Sequence, residues 1–571
     1  AEDDNDRDKI LFDHFSNLLT GDATTGVNET PVIIDPVFPE LQTKLLTGVF
    51  SLAELSVAIH SLKCNKTPGI DEIVNEVLRI SELHPVLLQI INQVHNTKTV
   101  PEDWHKSLLI AIYKKGDASK CTNYRGIALL CTCAKLYNRM LFARLSEVLE
   151  SKLRPNQNGF RKLRSTTQHV LTMRRLIEEV NQSQLGRLII IFVDFSKAFD
   201  SVNWLWIRAI LIAYGVPLEL VNAIMSMYFG AKACVKTGPD RTSDYFDLNI
   251  GVLQGDTLAP YLFIIVLDYV LRIAIDQECK NMGFIIQKEV GTGSKRRDTY
   301  QVTVEEKTLA DVAFADDLGL LTDCPLKAQY MIDSVQRNAL KVGLKINVGP
   351  GKTEYMLIGN WPQKEQIALK LDDLIIQRVL DYKYLGSYLL NSEKDFEVRK
   401  ALAWVAIKKL RMFWRSDIIS RDNKIKLFQS CIETVLLYNA VTWNMNLSLT
   451  KKLDGCYSRL LRYALNIKWT AKVTNVLVFK DLPKISDRLR TRRLTFIGHC
   501  YRSGESAPQP ITDVLFFKCH PELKRKRGNY SNYIRLLHTD MGPKFNDEQV
   551  LKDNISDREH WRKLIHNLPK K

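Results

Sequence analysis

An α+β fold is what this sequence predicts, and three features predict it. The apolar, β-branched run Leu188 to Val193 has the length of a buried strand and leads straight into a carboxylate, Asp194. Two shorter apolar runs, Val312 to Phe314 and Leu318 to Leu321, bracket Asp316-Asp317 and read as a hairpin with acids at its tip. After Glu393 the pattern changes to long amphipathic helices, Val398 to Trp414 and Lys424 to Tyr438, with no strand signal as clear. Strands gathered in one stretch and helices in another give an α+β core.

At 571 residues the chain has room for about three or four units of roughly 100 to 200 residues each. Residues 1–60 open acidic, pass through a short helix from Ile10 to Leu19 and a loop holding Pro31, Pro36 and Pro39, and read as a lead-in or linker. From Ser51 to Leu153 helical patterns alternate with short apolar runs such as Ser107 to Tyr113, which meets the basic turn Lys114-Lys115-Gly116-Asp117. The most apolar run, Ala259 to Ile275, carries Asp268 and Arg272 and reads as a buried helix rather than a membrane span. Gly291 to Asp298 reads as an exposed basic loop, solvated more readily than bound. The last hundred residues concentrate Arg488, Arg490, Arg492 and Arg493, then Lys524-Arg525-Lys526-Arg527, with Phe496, Tyr501, Tyr530 and Tyr533 interleaved. Such a tail can grip RNA through its phosphates and stack bases on its aromatics.

Hydrophobic residues at 45% and charged residues at 25% are a globular balance. The net charge of +16 creates a field that draws in polyanions, so nucleic acid leads as a partner, with a merely solvated basic surface as the alternative. The cysteines, from Cys64 to Cys519, form no CxxC pair, which argues against a disulfide framework. With no apolar leader at Ala1-Glu2-Asp3-Asp4, a reducing compartment is expected, and the start without methionine fits a piece of a longer polyprotein. His499-Cys500 and Cys519-His520 supply four potential zinc ligands, but their spacing is unlike common zinc modules.

The acids carry the functional reading. Nucleotidyl transfer from a 3′ hydroxyl to an α-phosphate is served by two divalent ions about 3.5–4 Å apart, and carboxylates are their natural ligands. Adjacent acids between apolar strands are costly unless they meet solvent or metal. An isolated Asp-Asp is more often an exposed turn, and context decides between the two.

The run Asp194-Phe195-Ser196-Lys197-Ala198-Phe199-Asp200, followed by Phe314-Ala315-Asp316-Asp317, resembles the catalytic motifs of reverse transcriptases of non-LTR (LINE-type) retrotransposons. Further matches stand in the same order: Asn123-Tyr124-Arg125-Gly126-Ile127, Gly159-Phe160-Arg161 with Arg164-Ser165-Thr166, Gly251-Val252-Leu253-Gln254-Gly255-Asp256, Gly343-Leu344-Lys345-Ile346-Asn347 with Lys352-Thr353, and Tyr384-Leu385-Gly386. The resemblance runs from about Leu62 to His499. It implies a right-hand polymerase with helical N- and C-terminal extensions: fingers and N-terminal extension at 61–185, a palm with an antiparallel sheet at 186–390, a helical thumb at 391–470 and a basic nucleic-acid-binding region at 471–571.

Residue by residue, the resemblance implies that Asp194, Asp316 and Asp317 are the catalytic, metal-binding triad for two Mg²⁺ ions, with Mn²⁺ as a substitute, while Asp200 is structural. Phe199 would be the steric gate against a ribose 2′ hydroxyl, and Phe195 would share the nucleotide site. Arg125, Arg161 and Arg164 would grip the triphosphate, since guanidinium forks suit phosphate oxygens. Gln254 and Gly255 would form the loop under the templating base, and Lys352 would stand near the leaving pyrophosphate, although Gly349-Pro350-Gly351 before it departs from the family's more basic pattern. Phe314 stands where many relatives have tyrosine, and Ala259 replaces a more usual serine. Arg492, Arg493, Lys524, Arg525, Lys526 and Arg527 would contact nucleic acid. The implied partners are an RNA template, a DNA primer or target and deoxynucleoside triphosphates, with no membrane; the implied site of action is the nucleus after cytoplasmic assembly. Two rivals are a catalytically decayed RNA-binding protein, against which the intact triad argues, and an RNA-directed RNA polymerase, against which Phe199 argues.

Overall fold

The computed structural model describes residues 4–21, 33–38, 47–292, 301–480, 482–506, 509–517, 532–545 and 547–569. Its strands, in chain order, are β1 (Lys106–Tyr113), β2 (Tyr124–Leu130), β3 (Arg187–Val193), β4 (Lys232–Val235), β5 (Phe246–Asp247), β6 (Phe284–Thr292), β7 (Gln301–Leu309), β8 (Asp311–Phe314), β9 (Asp317–Thr322) and β10 (Glu354–Gly359), then the short β11 (Lys370–Leu371), β12 (Leu374–Ile375), β13 (Gln377–Arg378), β14 (Lys383–Tyr384) and β15 (Ser387–Tyr388). The chain divides into two compact units that interleave along the sequence: Ala1–Arg161, Val193–Lys280 and Tyr330–Asn347 form the first, and Lys162–Phe192, Asn281–Gln329 and Val348–Lys571 the second. The mixed α+β class expected from the sequence is what the structure shows.

In the first unit, β1 pairs antiparallel with β2 and parallel with β4 in a sheet of order β2-β1-β4-β5. The run beginning at Ala259 is a buried helix, Ala259–Leu271, extended by a π-helical turn to Glu278. The acid that interrupts it is paid in full by neighbours: Asp268 accepts from the Arg154 backbone N–H, the Tyr214 hydroxyl and the Arg272 guanidinium, each at 2.6 Å. The first sixty residues are more than a linker. Helix Asp4–Thr20 is longer than the predicted helix and buries Phe15 and Leu19, and the Leu19 carbonyl accepts from Asn249 and Ile250.

In the second unit, the central sheet has the order β13-β10-β3-β9-β8. Every residue of β3 after Arg187 is buried, as a strand covered on both faces requires. Helix Thr166–Gln182 covers one face, packing Val170, Met173 and Leu176 against Leu188, Ile190, Phe192 and Met356. Its start is set by a reciprocal capping box between Ser165 and Gln168. The β6–β7 hairpin was not legible in the sequence; of the predicted basic loop, residues 293–298 lie outside the described residues. The helices after Asn391 share a core that includes Trp414, Trp443, Leu453 and Leu460, with Trp404 packed at its margin, so these tryptophans are core residues. Among the described residues no helix is long and apolar enough to cross a membrane.

Candidate active site

The β8–β9 hairpin turns on two residues, Ala315 and Asp316, with Phe314 paired to Asp317. Ala315 has φ +55°, the left-handed conformation that tight hairpins need at their first central position and that a residue with a Cβ adopts at a cost of about 1–3 kcal/mol. Asp316 is half-buried and Asp317 exposed. Behind the tip, the Tyr384 hydroxyl donates to the Asp317 carbonyl at 3.3 Å, and His169 Nδ1 lies 3.4 Å from the same hydroxyl. The His169 ring meets Phe314 edge-on. Burial, aided by Arg164, pulls the His169 pKa down to about 3, so the ring is neutral at physiological pH. Arg164 stands just ahead of the cap of helix Thr166–Gln182.

Asp194 directly follows β3 and belongs to the first unit. Asn347 holds it twice: its backbone N–H donates to the Asp194 carbonyl at 2.7 Å and its side-chain amide to the carboxylate at 3.2 Å. Phe195 bridges Ile346, and Ser196 donates to Lys345, so the Gly343–Asn347 motif is the backbone partner of the first acid. The Phe195 ring is 5% exposed, which corrects its assignment to the nucleotide site: it is a core residue. Phe199 is half-buried, stacked on Phe263 with centroids 4.5 Å apart and edge-on to the exposed Phe160 at 6.1 Å. Beside it, burial pushes the Asp200 carboxyl up to about 6 even though Lys114, Lys197 and Arg125 act in the opposite direction. Three cations thus act on Asp200, of which Arg125, on β2, and Lys197 are exposed.

The Gln254 carbonyl accepts from Ala128 of β2 at 2.7 Å. Gly255 has φ +122°, and a Cβ there would lie 2.3 Å from the Ala128 carbonyl oxygen. The glycine is therefore required by the approach of its own chain to β2. Arg161 is corrected too. Its guanidinium is buried, paired with Glu150 at 2.8 Å and donating to the carbonyls of Glu150, Arg154 and Gln157, so its donors staple a loop. Lys352 is exposed on a turn whose Gly349 and Gly351 both have positive φ. Among the described residues no group of three or more His, Cys, Asp or Glu is gathered closely enough to hold a metal ion, so the metal reading rests on donor chemistry and motif order.

The chain matches the reverse transcriptase (RNA-dependent DNA polymerase) family over residues 112–389, a span that contains all three acids. Those residues belong to the reverse transcriptase family. Relatives include the RNA-directed DNA polymerase from mobile element jockey of Drosophila funebris, 21% identical over 85% of this chain and 51% of the relative. The probable RNA-directed DNA polymerase from transposon BS of Drosophila melanogaster is 21% identical over 78% and 48%, and the Pol polyprotein of the type-1 retrotransposable element R2 of Popillia japonica 26% over 51% and 38%. The reverse transcriptase domain is thus of the non-LTR retrotransposon kind. The chain spans about half the length, or less, of these curated relatives.

Downstream of the reverse transcriptase domain, the predicted nucleic-acid contacts fare differently. Arg493 is buried and paired with Asp540, and Arg492 reaches the buried Glu433 at 2.8 Å, which Arg488 also meets at 2.6 Å. Arg490 donates to the carbonyls of Asp540 and Pro569. These arginines tie helices together; Arg493 is buried in doing so, whereas Arg492 stays exposed. Lys524, Arg525, Lys526 and Arg527, like Cys519 and His520, lie outside the described residues. Cys500 is fully buried, and burial pushes its thiol pKa far up. Sequence reasoning missed Asn347 as a partner of Asp194 and the His169–Tyr384 support of the hairpin, because each joins positions far apart in the chain.

Proposed function

We propose that the chain is an RNA-directed DNA polymerase of a non-LTR retrotransposon that extends a DNA primer end on an RNA template by two-metal nucleotidyl transfer. The observation that carries this reading is the order of the central sheet: the strand that leads into Asp194, β3, is hydrogen-bonded to β9, the strand that begins with Asp317. Hard carboxylate oxygens from Asp194, Asp316 and Asp317 are the donor set that Mg²⁺, or Mn²⁺ in its place, prefers. When bound, the ions would stabilise the attacking and leaving oxygens of the transfer. The chain's own part is orientation. Asn347 fixes the rotamer of Asp194, and the Tyr384 hydroxyl restrains the backbone of Asp317. Lys114, Lys197 and Arg125 form a positive cluster suited to a triphosphate, and the immobilised Phe199 ring would reject a 2′ hydroxyl. Nuclear action after cytoplasmic assembly belongs to the same reading and is checked by fractionating cells that express the chain.

The test is extension of a primed RNA template with deoxynucleotides and Mg²⁺, beside an Asp316→Ala variant. The parent is expected to extend and the variant to lose about a thousandfold or more in rate, with no change in melting temperature. Extension by neither, with RNA binding retained and Mn²⁺ also inactive, would replace this reading with that of a decayed RNA-binding protein.

A further inference from the structure

Helix Arg558–His566 lies against helix Ile485–Ser506 at an unusually close approach. Residue 498 is glycine, a Cβ there would stand 2.5 Å from Trp561 Nε1, and that nitrogen donates to the Leu494 carbonyl at 3.0 Å. Trp561 and Ile565 turn to the core, which leaves Arg558, Arg562 and His566, spaced four apart, as one exposed stripe. Beside the contact opens a groove of about 870 Å³ whose walls include Thr491, Thr495, Arg502, Arg558, Arg562 and Lys563, with Glu559 as the acid among them.

This charge is arranged unlike that of the arginines one helical face away. Arg488 and Arg492 share the carboxylate of Glu433, and Arg493 has that of Asp540. Among the described residues, Arg502, Arg558, Arg562 and Lys563 form no ion pair. Burial and then Arg558 disfavour the charge on Arg502, which Asp557 offsets in part, and its guanidinium is held by the Ile555 carbonyl at 2.7 Å. Like charges held together in a concave site focus a positive potential, and an anion placed between them relieves the repulsion. The two threonine hydroxyls on the facing helix donate to backbone carbonyls within it, so the cations are the groups that the groove offers to an anion.

We propose that this groove binds the phosphodiester backbone of a single-stranded nucleic acid. A cavity of this size takes a few linked groups of one strand rather than a duplex. Several phosphates along the strand would meet the stripe in succession, which one small anion would not. The proposal rests on the reading of the chain as a nucleic-acid enzyme and adds a site that the acids of the reverse transcriptase domain do not contribute to.

The experiment is fluorescence anisotropy of the full chain with labelled oligouridine and, separately, oligothymidine, over a range of salt. The Arg558→Gln/Arg562→Gln variant is expected to lose about tenfold in affinity near 0.1 M salt, and its log–log salt slope to fall by about 1.4, the value for two single-strand phosphate contacts. Loss on both probes supports phosphate recognition common to the two; loss on one supports the same site with that strand as its source. Lys563→Gln alone, with a slope change of about 0.7, provides the measurement if the double variant does not fold. Unchanged binding to both probes overturns the proposal, as does an equal loss in a Lys364→Gln/Lys370→Gln control, which removes the same charge from an exposed site elsewhere. Primer extension by the same preparations separates the two readings: a binding loss in a chain that cannot extend leaves the groove standing and removes the polymerase, and extension with unchanged binding does the opposite.

Discussion

Two clusters of cations in this molecule are built on opposite balances. Around Asp200, Lys114, Lys197 and Arg125 all act on one carboxyl, which burial nevertheless drives toward its neutral form. On helix Ile485–Ser506, Arg488 and Arg492 share Glu433, and Arg493 has Asp540, so three guanidiniums meet two carboxylates and most of their charge is answered. The difference teaches that a basic run in a sequence does not report a nucleic-acid surface. What matters is the ratio of cations to acids once the chain has folded, and whether the cations are buried with their partners or exposed without neutralisation.

The sharpest way to break that comparison is to remove an acid from the balanced cluster. Asp540→Ala leaves the Arg493 guanidinium buried without its carboxylate, and an uncompensated buried charge costs about 3–5 kcal/mol. A clear fall in the thermal melting midpoint is expected, with primer extension per folded molecule unchanged. An unshifted midpoint would mean that Arg493 escapes to solvent and that this cluster is less closed than its geometry implies.

The unbalanced cluster responds in the opposite sense. Asp200 has a folded pKa of about 6 against an ordinary 3.8, so between those values the folded state binds more protons than the unfolded one. Stability therefore falls as pH rises from about 4 to about 6, and the contribution of the protonated form is gone above the folded pKa. Asp200→Asn cannot ionise and should flatten that slope, leaving the variant about 3 kcal/mol more stable than the parent at pH 7. Melting curves from pH 4 to pH 8 measure it. Parallel curves for parent and variant would show that the three cations keep Asp200 ionised in the folded chain.

The same contrast explains what the sequence could and could not show. The strand before Asp194 and the acidic hairpin were legible because local periodicity reports burial: β3, β8 and β9 stand where the apolar runs placed them. The β6–β7 hairpin was not, because Phe284–Thr292 and Gln301–Leu309 mix apolar and charged residues without a clean alternation. Motif order located Asp194, Asp316, Asp317 and Phe199, but it did not say which way a side chain points. Phe195 and Arg161 carry motif positions and are nevertheless buried, one as an apolar ring and one as a loop staple. Partnerships such as Asn347 with Asp194, or Tyr384 with Asp317, depend on pairing over long sequence separations and have no local signature.

Phe199 gives the finest test, because it stands next to Asp200 in the unbalanced cluster and its ring is held by protein contacts alone. Phe263 stacks on one face and Phe160 meets it edge-on, so the ring cannot swing aside to admit an extra hydroxyl without losing both contacts. Phe199→Val removes the bulk while keeping an apolar, β-branched side chain. The preference for a deoxynucleotide over its ribonucleotide counterpart should fall by about tenfold, as expected for excluding a small group by shape alone. The measurement is the ratio of kcat/KM for the two nucleotides on the same primed RNA. A ratio that drops while deoxynucleotide incorporation holds assigns Phe199 to discrimination. An unchanged ratio with a lowered melting midpoint would make it a packing residue like Phe195, and the gate would have to be sought elsewhere around the cation cluster.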